Sequence, residues 1–116
     1  MMGEAASALD IRLRALVESP GGSAGLVLPN ARVGTARERA KIDALVDGAD
    51  VLTFEHELQD SDHLRTLAER GIAVRPSADA LLFAQNKLEM RRRLDSLGIE
   101  CPRWAEVATP RELEAF

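Results

Sequence analysis

Asp50-Val51-Leu52-Thr53-Phe54-Glu55-His56-Glu57 is the stretch on which the reading of this chain turns. Asp50 to Phe54 is a short apolar run of the kind that fills a strand buried on both faces of a parallel sheet. The run then gives way at once to three titratable residues. Those residues sit at the carboxyl end of the strand, where open α/β sheets bind their ligands. If the strand continues, alternation puts Glu55 and Glu57 on one face and His56 on the other. Two carboxylates and a histidine suit a metal or a polar substrate, and an ordinary solvated loop carries the same residues.

Outward from this run, strand-like and helix-like patterns alternate. Upstream, Ile11 to Val17 alternates and then turns apolar, and Ala31 to Gly34 is a second short strand. Between them lie the loop Ser19-Pro20-Gly21-Gly22-Ser23 and a helical turn over Ala24 to Leu28 that Pro29-Asn30 stops. Thr35 can cap a helix to about Val46, with Ile42, Leu45 and Val46 on one face and Gly48 as its stop. Met1 to Leu9 is Ala-rich and reads as a helix. Downstream, Ser61 precedes a helix with Leu64, Leu67 and Ala68 inward, ending at Gly71. His63, near its start, reads as a surface residue. Ile72-Ala73-Val74 is a short strand closed by Pro76. Ser77 caps a helix over Ala78 to Gln85, and Asn86 begins another that ends at Gly98. Thr109-Pro110 with Glu112 opens a last helix, after an extended Cys101 to Ala105. Strands separated by helices imply right-handed parallel βαβ units.

Composition excludes several functions. The 116 residues carry 15 Lys plus Arg and 19 Asp plus Glu, a net charge of -4, which argues against general nucleic-acid binding or a membrane-surface role. No apolar run approaches the roughly 20 residues that span a bilayer. The N-terminus has acids and no basic region, unlike a secretory signal. The one cysteine, Cys101, excludes an internal disulfide framework or a multi-cysteine zinc site. That usage suits a reducing compartment such as a cytoplasm.

Other candidates are weaker. Glu18 ends the first strand, but no GxGxxG loop supports a dinucleotide role. Lys87 lies just inside a helix start, where exposed backbone N–H groups and a cation together suit a phosphate. Arg91, Arg92 and Arg93 fan around a helix and read as a solvated face. Cys101 has no activating base nearby in sequence.

The ordered set Asp50 to Glu57, Val74-Arg75-Pro76-Ser77, Ala84-Gln85-Asn86-Lys87, Leu97-Gly98-Ile99 and Cys101-Pro102 resembles the N-terminal region of the 5-(carboxyamino)imidazole ribonucleotide synthases of the ATP-grasp superfamily. The resemblance covers nearly the whole chain. It implies a Rossmann-like (pre-ATP-grasp) parallel sheet with flanking helices over residues 1–76. A helical connection and the start of the ATP-grasp domain follow over 77–116. It also implies an ATP-dependent ligase of purine (IMP) biosynthesis. Such a ligase uses ATP, Mg2+ and bicarbonate to carboxylate 5-aminoimidazole ribonucleotide through carboxyphosphate, typically as a homodimer. Carried over by motif, Glu55 is a substrate-binding residue and Glu57 a second candidate. Lys87 contacts ATP phosphate, and Glu18 has no firm role. No catalytic residue and no metal ligand is assigned.

Two departures from the family pattern shape the expectations. The family begins with a central strand and a Gly-Gly-Gly-Gln-Leu-type turn, whereas this sequence opens inside the following helix. The ATP-grasp lysine, glycine-rich loop and magnesium-binding acids would lie beyond Phe116. The expectation is a truncated ligase with no turnover of its own and marginal stability when isolated. Other readings are a different ATP-grasp ligase (a formate-dependent glycinamide ribonucleotide transformylase), a non-catalytic Rossmann-like binding or regulatory module, or a degenerate reading frame. Thr53-Phe54-Glu55 and Arg75-Pro76-Ser77 favour the first.

Overall fold

The structure, a computed structural model, describes residues 2–28 and 30–116. Met1 and Pro29, read above as a helix start and a helix stop, lie outside the described residues. The element order is α1 (Met2–Ala8), β1 (Leu16–Val17), α2 (Ser23–Val27), β2 (Arg32–Val33), α3 (Arg39–Val46), α4 (Ser61–Glu69), α5 (Ala78–Gln85), α6 (Lys87–Ser96) and α7 (Pro110–Ala115). β1 and β2 pair in parallel, with Leu16 opposite Arg32 and Val17 opposite Val33. A second parallel pairing is the single bridge between Leu52 and Val74, made by Leu52 N–H to Ala73 O and Arg75 N–H to Leu52 O. This is the α/β parallel architecture that the sequence implied, with much shorter strands. Of Ile11 to Val17 only two residues form a ladder, and Asp50 to Phe54 contributes one bridge.

The shortening has a physical cause. A parallel strand is held by neighbours on both sides, and among the described residues no ladder bond joins the β1–β2 pair to the Leu52–Val74 pair. Ala15 and Val17 spend their carbonyls on β2, through Arg32 N–H and Gly34 N–H. The backbone of Leu16 therefore faces the other way, toward no partner strand. Each pair keeps an open edge.

The core lies under α3, α4 and α5. Ile42, Val46, Leu52, Leu64, Leu67, Val74, Ala78 and Leu81 form one buried cluster, and Leu16, Phe54 and Ile72 pack against it. Leu67 and Val46 are its most enclosed side chains. The apolar spacing in α3 and α4 is the helical one, so each helix lays a stripe on the bridged strands. Two expectations need correction. Ala68 is exposed rather than inward, and His63 is buried at 4% exposure. Three residues into α4, His63 falls on the same stripe as Leu64 and Leu67 and is carried inside by them. Its Nε2 makes no hydrogen bond, and Asp43 Oδ1 stands 3.6 Å away, inside ion-pair range but too far for a hydrogen bond. Asp43 is instead bonded at 2.8 Å by Arg70.

The caps follow the local sequence closely. Ser77 accepts from Ala80 N–H, and Asn86 accepts from Leu88 and Glu89 N–H. Thr109 and Glu112 make a full capping box, with Pro110 in the first turn. Gly48, Gly71 and Gly98 take positive φ at helix ends, the left-handed stop that glycine allows. Thr35 is not the cap of α3. Glu38 occupies that position, with its carboxylate turned back to accept from Thr35 N–H at 2.7 Å.

The accessible surface is 8705 Å² and the radius of gyration 18.1 Å. A compact protein of this mass exposes about 6,200 Å² and has a radius near about 13 Å. The surplus includes large apolar side chains, Leu26 at 74% and Leu58 at 73% exposure among them. The chain on its own is therefore expected to bind a hydrophobic dye and to melt over a broad range. Calorimetry with dye fluorescence checks this, and a sharp melt of a monomer without dye binding would contradict it.

Candidate functional site

The bridge at Leu52 fixes the site. Phe54 packs on the core, and beyond it the chain leaves the strand direction and bends through residues 55–57. The alternation that would have split Glu55 and Glu57 from His56 therefore does not apply. All three lie on one exposed turn. The turn is tied internally. Leu58 N–H donates to His56 Nδ1 at 3.2 Å, Gln59 Nε2 to His56 O at 3.1 Å, and Gln59 N–H to Glu57 O at 2.7 Å. His56 Nδ1 thus acts as an acceptor, and a neutral ring carries its proton on Nε2.

The turn is also anchored at its far end. Asp60 caps α4 by accepting from His63 N–H at 3.0 Å, and Arg39 of α3 pairs with the same carboxylate at 2.6 Å. The His63 N–H bond, then Arg39, holds the Asp60 carboxyl below its ordinary 3.8. Glu38 is held below its ordinary 4.5, first by Lys41 and then by Thr35 N–H. A carboxyl depressed on folding adds stability that is present above its unfolded pKa and is lost as pH falls through the folded value. Helix content is therefore expected to fall on acidification below about pH 4. Asp60→Ala, which removes both the cap and the Arg39 pair, should flatten that acid limb and cost about 1 kcal/mol. Circular dichroism against pH reads both effects; an unchanged acid limb would contradict the assignment.

Lys87 is the first residue of α6 and is exposed. Its ammonium has no carboxylate partner among the described residues, so it is open to an anion. The backbone beside it is less open than the sequence suggested. Asn86 Oδ1 already accepts from Leu88 N–H at 3.0 Å and Glu89 N–H at 3.2 Å, so the side chain, not the helix end, is what a phosphate would meet. Among the described residues no hydrogen bond or ion pair joins Lys87 to Glu55 or Glu57. Glu18 is exposed just after β1.

Gln85, quoted in the sequence only as part of a motif, is what joins the two regions. Its Nε2 donates to Glu57 O at 2.7 Å and to Gln59 O at 3.0 Å, and its Oε1 accepts from Ser61 Oγ at 2.9 Å. The one available signal was a polar residue closing the apolar run Ala80 to Ala84 of α5. Among the described residues no three His, Cys, Asp or Glu side chains group as metal ligands. Glu55, His56 and Glu57 therefore do not group as a metal site among the described residues. No helix among the described residues is long and apolar enough to cross a membrane.

Comparison with known proteins fits the parallel α/β fold. Over its whole length the chain is 41% identical to the N5-carboxyaminoimidazole ribonucleotide synthase of Mycobacterium tuberculosis, of which it spans 27%. The crystal structure of the Thermotoga maritima N5-carboxyaminoimidazole ribonucleotide synthetase superposes with a TM-score of 0.83 at 26% identity, over 95% of this chain and 31% of that one. The Aspergillus clavatus synthase, solved in complex with ADP and 5-aminoimidazole ribonucleotide, gives 0.79 at 27% identity, over 99% and 31%. Residues 1–85 match the model of the ribonucleotide synthetase preATP-grasp domain, and the chain belongs to that family.

Proposed function

We propose that this chain supplies the preATP-grasp part of an N5-carboxyaminoimidazole ribonucleotide synthase of purine biosynthesis. The reaction is the ATP- and bicarbonate-dependent carboxylation of 5-aminoimidazole ribonucleotide. The observation that carries the reading is the strand-end turn bearing Glu55 and Glu57, in a chain that aligns along its full length with such synthases. Glu55 accepts hydrogen bonds from the ribonucleotide, with Glu57 beside it. Lys87 pairs with an ATP phosphate, which its exposed ammonium, without a carboxylate partner among the described residues, fits. ATP with Mg2+ supplies the phosphoryl group that activates bicarbonate, and the ligands for that metal belong to other parts of the enzyme. Residues 1–76 form the Rossmann-like part and 77–116 lead toward the ATP-grasp region. The whole enzyme works in the cytoplasm as a homodimer.

The test is a full-length synthase in which this chain replaces the matching 27% of the M. tuberculosis enzyme. The expected result is release of ADP that depends on both 5-aminoimidazole ribonucleotide and bicarbonate. A folded chimera without that dependence would overturn the reading. In the same enzyme Lys87→Met is expected to raise KM for ATP about tenfold, as loss of a charge-assisted bond does. KM for the ribonucleotide should stay within about twofold.

A further inference from the structure

Gln85 sits at the end of α5, and its primary amide bonds three partners, with both N–H groups donating and the oxygen accepting once. Both Nε2 hydrogens go to the turn after the bridged strand, at Glu57 O and Gln59 O, and Oε1 receives Ser61 Oγ from the first residue of α4. Among the described residues, the bonds at Glu57 O and Gln59 O are the only hydrogen bonds from another element to residues 55–59 themselves; the next residue, Asp60, is tied separately to α4 and Arg39. The other bonds of the turn, from Leu58 and Gln59 to His56 and Glu57, are internal and set its shape but not its place. The fastening is made at main-chain carbonyls, so it does not depend on the turn's own side chains. One residue beyond Gln85 the chain breaks direction at Asn86, which caps α6, and Lys87 follows as its first residue.

We infer that Gln85 is a positioning residue that holds the Glu55–Glu57 turn in place for the ribonucleotide. It does so from a backbone site two residues before the nucleotide-binding lysine. This inference rests on the function proposed above. In this role Gln85 acts through the turn and not by contact with a reactant. It fixes the carbonyls of Glu57 and Gln59, and through them the direction of the two carboxylates. A small displacement of such a group is costly, because binding groups act only in a narrow geometry.

The experiment uses the full-length chimera and reads KM and kcat together with hydrogen exchange of residues 55–60. Gln85→Ala is expected to raise KM for 5-aminoimidazole ribonucleotide about tenfold, the scale of one or two lost hydrogen bonds. KM for ATP should stay within about twofold, and the turn should exchange faster. If Gln85→Ala does not fold, Gln85→Glu gives the same reading. It keeps the side-chain length and the acceptor for Ser61 but sets a carboxylate oxygen against two carbonyls. Glu55→Gln serves as the control for the underlying reading. A raised KM for Glu55→Gln with an unchanged KM for Gln85→Ala would overturn the positioning role alone, whatever happens to thermal stability. Unchanged KM in both variants would overturn the inference together with the function on which it rests.

Discussion

Leu67→Ala is expected to unfold this domain rather than merely soften it. Leu67 has no exposed surface and sits at the centre of the cluster that joins α4 to the bridged strands and α5. Truncating a buried leucine costs about 2–5 kcal/mol, from lost burial and the cavity left behind. Whole domains are stable by about 5–15 kcal/mol, and small ones lie at the low end. Here the buried apolar set is nine of the described residues, while the surface exceeds that of a compact protein. The loss is therefore expected to consume most of the available stability. Urea denaturation of the chimera, followed by far-ultraviolet circular dichroism, checks this. The first transition should move to much lower urea or vanish, whereas Leu26→Ala, at an exposed site, should leave it in place. Equal midpoints for Leu67→Ala and the parent would show that the core is elsewhere.

Glu55→Gln is expected to have the largest effect on activity of any change in the turn. The substitution keeps size and hydrogen-bonding capacity on one oxygen but removes the charge. A hydrogen bond to a charged group contributes about 1.5–3 kcal/mol, so KM for 5-aminoimidazole ribonucleotide should rise by about 10- to 150-fold. The side chain is exposed and bonded to nothing else in the described structure, so stability should not change. Glu57→Gln should do less, because the part of Glu57 that is tied down is its carbonyl, held by Gln85. Steady-state kinetics and a thermal melt on the same preparations separate binding from folding. A Glu55→Gln enzyme with parental KM would remove Glu55 from the substrate site.

The sequence carried the local features well and the non-local ones poorly, for physical reasons. Ser77, Asn86 and the Thr109-Pro110-Glu112 set were legible as caps because a cap is made within three residues of itself. The glycine stops after α3, α4 and α6 were legible for the same reason. Strand lengths were not, because a ladder needs neighbours, and neither pair has a further strand beside it among the described residues. His63 was misplaced because hydropathy alone puts an imidazole outside, while its position on the stripe with Leu64 and Leu67 puts it inside. The candidate site was legible as residue types, Glu55 and Glu57 after an apolar run and Lys87 at a helix start. Its assembly was not legible, since the bonds from Gln85 to Glu57 and Gln59 cross 28 and 26 residues of chain.

Hydrogen exchange of the chimera with and without 5-aminoimidazole ribonucleotide tests the central claim most directly. Slower exchange confined to residues 53–59, and absent in Glu55→Gln, is the predicted result. Ligand-dependent protection elsewhere, with residues 53–59 unchanged, would contradict the placement of the ribonucleotide at this strand end.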